Sequence, residues 1–106
     1  KKDLTTNTVT TLYTVPSNSR AIVKSLLVSE DTNTGTTITV DLFDGDPSTA
    51  NKFNLFKTQA VAGNETLQLL TEPLIMLENE VIQVTAADAN TLHVVASILE
   101  INREDR

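Results

Sequence analysis

The side chains of this chain whose types admit site chemistry are His93, Ser25, Ser97 and the carboxylates Asp41, Asp44 and Asp46. His93 is the only histidine and stands between Leu92 and Val94 on an alternating apolar stretch. A general base or metal ligand works with a partner at definable spacing, and no local motif supplies one. The expected role of His93 is that of a packed or partly exposed strand residue. Ser25 and Ser97 have no base in a local motif, and nothing resembles a nucleophile elbow or a Gly-rich phosphate loop. Asp41, Asp44 and Asp46 around Gly45 set oxygen ligands beside a Gly turn, superficially as in a calcium loop. The twelve-residue pattern closing with Glu is missing, however, and Asp and Gly are what any turn uses. The three carboxylates are the weak candidate for a metal site. Turn chemistry is the preferred reading, with no cofactor, no catalytic residue and no enzymatic activity expected.

Composition narrows the remaining classes. With 106 residues the chain has room for a single core, read as one domain over 1–106 with loose ends at 1–7 and 102–106. Hydrophobic residues make up 40% and charged residues 21%, the balance of a folded domain rather than a disordered one. The net charge of -6 disfavours nucleic acid and anionic membrane surfaces, which are bound through basic patches. No apolar run is long enough to span a bilayer, and the first residues lack the apolar stretch of a signal peptide. A start at Lys1 without Met points to a trimmed or processed N-terminus. Cys is absent, which removes disulfides and thiolate chemistry.

The elements that must position these side chains read as short strands between turns. Leu12 to Val28 is strand, Pro16 turn, strand, and the second arm (Ala21 to Val28, within a strand read as Arg20 to Ser29) is apolar at almost every position except Lys24 and Ser25. Such a strand is expected to be central and covered on both faces. Thr8 to Val15 precedes it, with Val9, Tyr13 and Val15 on one side. Thr36 to Phe43 alternates cleanly, with Ile38, Val40 and Leu42 on one side. Residues 51–62 carry both periods, since Phe53, Phe56 and Ala60 fit a helix while Phe53, Leu55 and Lys57 alternate. Strand neighbours favour the strand. Gly63-Asn64 then predicts a hairpin turn. Val81 to Ala86 alternates again, and Leu92 to Ile101 is a second strand apolar on both faces. Glu30-Asp31, Glu78-Asn79-Glu80 and Glu104-Asp105 read as solvated turns and tail. Roughly eight short strands and no firm helix predict an all-β antiparallel β-sandwich, with the jelly roll as the candidate topology.

Leu12-Tyr13-Thr14-Val15-Pro16, followed by Arg20-Ala21-Ile22-Val23-Lys24-Ser25, resembles the opening hairpin of small structural proteins of tailed bacteriophages and prophages, in which a "YTVP" turn precedes an "xxxIVKSI" strand. Leu74 to Val84, Ala86-Ala87 and Leu92 to Ile101 are similar to the ending "PLxLxxGDxIxVxAxxAxxLxVxxSxLEI" found there, and the cyanophage versions are the nearest in pattern. Asn79-Glu80 stands where that family has Gly-Asp, so the turn is kept without its Gly. The resemblance spans nearly the whole chain and implies a β-sandwich virion structural protein of the tail, neck or capsid surface. It would be localised to the virion after assembly in the host cytoplasm, with other virion proteins as partners. It supplies no site residues. The alternative is a receptor- or glycan-binding module at a fibre or tail tip, using the Glu30–Gly35 and Asp44–Asn51 loops. Few aromatics are available for that role, at 4%.

Two strands apolar on both faces cannot bury everything in a two-layer sandwich. Large exposed apolar patches are rare on monomers. The interface candidates are Ile22, Leu26 and Val28 or their alternates on one strand, and Val95, Leu99 and Ile101 on the other. The expectation is a homo-oligomer, with a closed ring such as a trimer as the first form.

Overall fold

The computed structural model describes residues 1–102. Those residues form nine strands and no helix: β1 (Lys2–Leu4), β2 (Thr10–Thr14), β3 (Ser19–Glu30), β4 (Thr36–Phe43), β5 (Lys52–Val61), β6 (Thr66–Gln68), β7 (Leu74–Met76), β8 (Val81–Ala86) and β9 (Leu92–Asn102). All pairings are antiparallel. One sheet runs β1-β9-β3-β6, with β7 also on β3, and the other runs β2-β8-β4-β5. The pairs nest outward from the β4–β5 hairpin: β3 with β6 and β7, β2 with β8, β1 with β9. That is a long hairpin rolled into two layers, the jelly-roll order, with β6 and β7 as one strand interrupted at Pro73. The extents of 46 × 26 × 20 Å fit two layers about 10 Å apart with side chains on their outer faces.

The core lies between the sheets. Val23, Leu26, Val28, Met76, Leu92 and Val94 from one layer meet Ile38, Val40, Ile82, Val84 and Ala86 from the other. β3 reaches this core with both parities because a bulge lies between Val23 and Ser25. Ala21 and Val23 point inward before it, and Leu26 and Val28 after it. Lys24 is the inserted residue, exposed on the bulge. β3 is therefore central, but its outer face is not covered: Ile22, Ser25, Leu27 and Ser29 are half-exposed.

Several expectations need correction. Residues 1–7 are not all loose, because Lys2–Leu4 pairs with Leu92–Val94 and Leu4 is buried in the core. This is the ninth strand. Asn102 closes β9, and 103–106 lie outside the described residues. The Pro16 turn does not close a hairpin. β2 pairs β8 and β3 pairs β9, so the turn carries the chain from one sheet to the other. Val15 holds it, buried and bonded to the next turn through Val15 N–H to the Glu80 carbonyl and Asn79 N–H to the Val15 carbonyl. Asn79 takes φ 66°, the left-handed value that a Gly would supply there. Val9 lies outside β2 and is exposed rather than facing inward with Val15.

The turn at Gly63-Asn64 is likewise a sheet-to-sheet crossing and not a hairpin, since β5 pairs β4 and β6 pairs β3. Asn64, not Gly63, takes the positive φ, 60°. Gly63 is needed for a different reason. A Cβ there would stand 2.6 Å from the backbone carbon of Asn33. The two loops touch main chain to main chain, so neither can yield cheaply. Gly63→Ala is expected to lower the unfolding free energy by about 1–3 kcal/mol, the usual cost of overpacking. Urea denaturation followed by fluorescence or circular dichroism measures it.

Candidate functional site

The exposed large apolar side chains gather mainly on the outer face of the β1-β9-β3-β6 sheet. β9 alternates regularly, with Leu92 and Val94 buried inside while Val95, Leu99 and Ile101 stand outside. Register sets Ile22 beside Leu99 on one side and beside Ile75 on the other, and Leu27 beside Val95. Ile75 is 66% exposed, and Val95, Leu99, Ile101 and Leu77 are each between 43% and 48% exposed. Arg20, opposite Ile101, closes one end of this surface through an ion pair with Glu78 at 3.4 Å. Of the six interface candidates, Val95, Leu99 and Ile101 face outward and Ile22 is half-exposed on the same face. Leu26 and Val28 are corrected to the core. The Lys24 bulge reverses the parity of β3, and an unbroken alternation would have put them with Ile22. Leu27 is one of the alternates left open on β3, while Ile75 and Leu77 are the outward residues that sequence reasoning missed. Ile75-Met76-Leu77 alternates, but so short a strand gives a weak signal.

At the other end of this face, His93 does acquire partners. Its Nε2 lies 3.2 Å from an Asp3 carboxylate oxygen and its Nδ1 lies 3.7 Å from one of Asp31. Asp3 comes from β1 and Asp31 from the loop after β3, so no local spacing could announce them. Ser29 faces His93 across the ladder, but its hydroxyl is engaged by Thr66 at 3.5 Å. Beside these groups is an open depression of about 410 Å³ lined by Lys1, Lys2, Asp3, His93, Val94 and Val95. Even where such an exposed contact is fully ionised, it contributes only about 0–1 kcal/mol. His93→Gln is accordingly expected to fold normally and to change stability by less than about 1 kcal/mol, as read from chemical denaturation.

Asp41, Asp44 and Asp46 are spent on separate turn contacts. Asp41 accepts from the Asn54 amide, and Asp44 accepts from the Asn51 backbone at 3.0 Å and its side chain at 3.2 Å. Asp46 accepts from Ser48 N–H at 3.0 Å and from its hydroxyl at 2.9 Å. The Ser48 backbone donor, then its hydroxyl, hold the Asp46 carboxyl below the usual range. No group of three His, Asp or Glu residues among the described residues is arranged to hold a metal ion.

Glu30 is not the solvated turn residue expected. It is 1% exposed, at the end of β3. Its carboxylate accepts from Thr32 N–H and hydroxyl (2.8 and 2.5 Å), Asn33 N–H (3.1 Å), Thr34 hydroxyl (3.3 Å), Gly35 N–H (3.0 Å) and Asn64 N–H (3.1 Å). The Thr32 hydroxyl bond, with the N–H donors of Asn64, Thr32 and Asn33, outweighs desolvation and lowers the pKa from 4.5 to about 2. Between those values the unfolded chain binds a proton that the folded one refuses, so stability must fall as pH falls from about 4.5 to about 2. Glu30→Gln should lower the melting temperature at pH 7 and flatten the acid limb of a melting-temperature profile. An acid limb as steep as that of the unsubstituted protein would refute this role for Glu30.

Comparison with protein-family models, curated proteins and solved structures returns no match for this chain.

Proposed function

We propose that this protein is a non-enzymatic structural component of a tailed-phage particle, docking through its sandwich surfaces on other virion proteins and on copies of itself. The observation that carries the reading is the apolar outer face built from Ile22, Leu27, Ile75, Leu77, Val95, Leu99 and Ile101. Water-exposed apolar surface of this kind marks a place where another protein sits. Two further points support it. The sequence of the Leu12–Ser25 opening and the C-terminal pattern resemble tail, neck and capsid-surface proteins of such particles, and the jelly-roll order is one that viral capsid domains use. The fold is an analogy and would equally suit a lectin. Against glycan recognition, the 31–35 and 44–51 loops turn their polar groups onto their own side chains through Glu30, Asp44 and Asp46. His93 then serves as an exposed polar contact that ties β9 to β1 through Asp3 and to the loop after β3 through Asp31.

Mass spectrometry of purified particles, followed by cryo-microscopy, tests the reading. The chain is expected in stoichiometric amount at a fixed position. Its absence from purified particles overturns the proposal. Ile75→Asp changes an exposed side chain, so the melting temperature should stay within a few degrees. Burying one such side chain contributes roughly 1.5–3 kcal/mol, so its loss should weaken docking about 10- to 100-fold and deplete the variant from particles.

A further inference from the structure

We propose that the outer face around Lys24 seats a different virion protein, whose docking segment is aliphatic and carries a carboxylate for the Lys24 ammonium. The inference rests on the structural-protein reading and names the chemistry of the partner within it.

The fold places Lys24 in the middle of the apolar surface. β3 is a central strand, with β9 on one side and β6 and β7 on the other. Its inner face is the core, so an exposed side chain in its middle stands on the outer face. Lys24 is that side chain, inserted by the bulge between Val23 and Ser25. To one side of it the ladder sets Ile75, Ile22 and Leu99 in a row, and to the other Leu27 and Val95. Leu99 and Val95 are four residues apart on β9, which separates the two apolar ridges by about 13 Å. Between the ridges Ser25 and Ser97 face each other, and both are short. A strand laid beside β9 would extend the sheet in its own plane, so these rows stay open whatever pairs there.

Charge then decides what can cover them. The chain carries Asp+Glu 14 against Lys+Arg 8, yet none of these carboxylates answers Lys24. Among the described residues the ion pairs join Arg20 to Glu78 and His93 to Asp3 and Asp31. Glu30 is buried at the end of β3, and Glu100 is bonded by Tyr13 of the opposite sheet. Any surface broad enough to touch both ridges covers the ammonium between them and strips its water. An ammonium buried without a partner is strongly unfavourable, so that surface must bring an anion. A second copy stacked on this face about a two-fold axis through Lys24 would bring another ammonium instead. That leaves contacts between copies to other surfaces. The occupant is aliphatic where it meets Ile75, Ile22, Leu99, Leu27 and Val95, and acidic between the ridges.

Carbodiimide treatment of purified particles, which condenses a lysine with a carboxylate in contact with it, tests this when the linked peptides are sequenced by mass spectrometry. The expected product joins Lys24 to an Asp or Glu of another virion protein, within a stretch rich in aliphatic residues. Particles assembled with variants give the second readout. Lys24→Glu alters an exposed side chain and should melt within a few degrees of the unsubstituted protein, yet be depleted from particles at least about tenfold. Lys24→Arg should be incorporated normally. A lysine that only keeps an apolar face in solution would be replaced by Glu without loss, so undiminished incorporation of Lys24→Glu overturns the inference. So does a link from Lys24 to Glu72 of its own chain, a link to a carboxylate of a second copy, or no link at Lys24 in particles that contain the chain. Absence of the chain from particles instead overturns the structural-protein reading and this inference with it, so the two failures are told apart.

Discussion

The carboxylate of Glu30 is the constraint on which one whole end of the sandwich depends. A jelly roll must carry its chain repeatedly between two sheets, and each crossing leaves backbone donors without ladder partners. Here the β3–β4 crossing at 31–35 and the β5–β6 crossing at 62–65 run side by side, and one buried anion serves both. Four N–H groups and two hydroxyls converge on two oxygens, which is why the charge persists where water is excluded. Main-chain contact between Gly63 and Asn33 then locks the two crossings together, with Asn64 donating to the Asn33 side chain at 3.0 Å. The strands could not keep their order if these crossings drifted, because β3 and β6 pair directly beneath them.

The second constraint is the bulge at Lys24. A twelve-residue strand that kept strict alternation would present either Ala21 and Val23 or Leu26 and Val28 to the core, never both pairs. One extra residue lets β3 bury all four and still pair with the regular β9 along its length. The consequence is an outer face that carries Ile22 on one side of the bulge and Leu27 on the other. Apolar surface on the outside follows from a long central strand that was made apolar for the inside at almost every position.

Elements were legible in the sequence where periodicity was strong, and pairing was not. Thr36–Phe43 alternates so cleanly that its bounds coincide with β4, and the strand period of 52–61 outweighed the helical one because its neighbours are strands. Turn residues at Pro16 and Gly63 correctly marked reversals, yet both reversals cross between sheets, which local chemistry cannot distinguish from a hairpin. Burial of Glu30 was hidden for a related reason. Its donors lie at Thr32 to Gly35 and at Asn64, and an acidic residue before a Thr-Asn-Thr-Gly loop looks solvated until the second loop is brought in. The pairing of His93 with Asp3 and Asp31 depends on β1, a three-residue strand that no pattern could announce. Val95, Leu99 and Ile101 were legible as outward because β9 alternates without interruption; Leu26 and Val28 were not, because the bulge is silent in the sequence.

The outer half of β9 is tied to the opposite sheet by a bond across the sandwich. Tyr13 on β2, the edge of the opposite sheet, donates its hydroxyl to Glu100. Burial first, and then the Glu100 carboxylate as acceptor and as a nearby negative charge, push the Tyr13 hydroxyl well above its ordinary pKa, which favours the protonated, donating form. The inner side chains Ala96 and Ile98 pack against the core between this anchor and the β1-covered stretch. The same bond joins the two sheets at the corner where β2 and β9 come together, so the apolar outer face that ends at Ile101 is braced by both layers of the sandwich rather than by one.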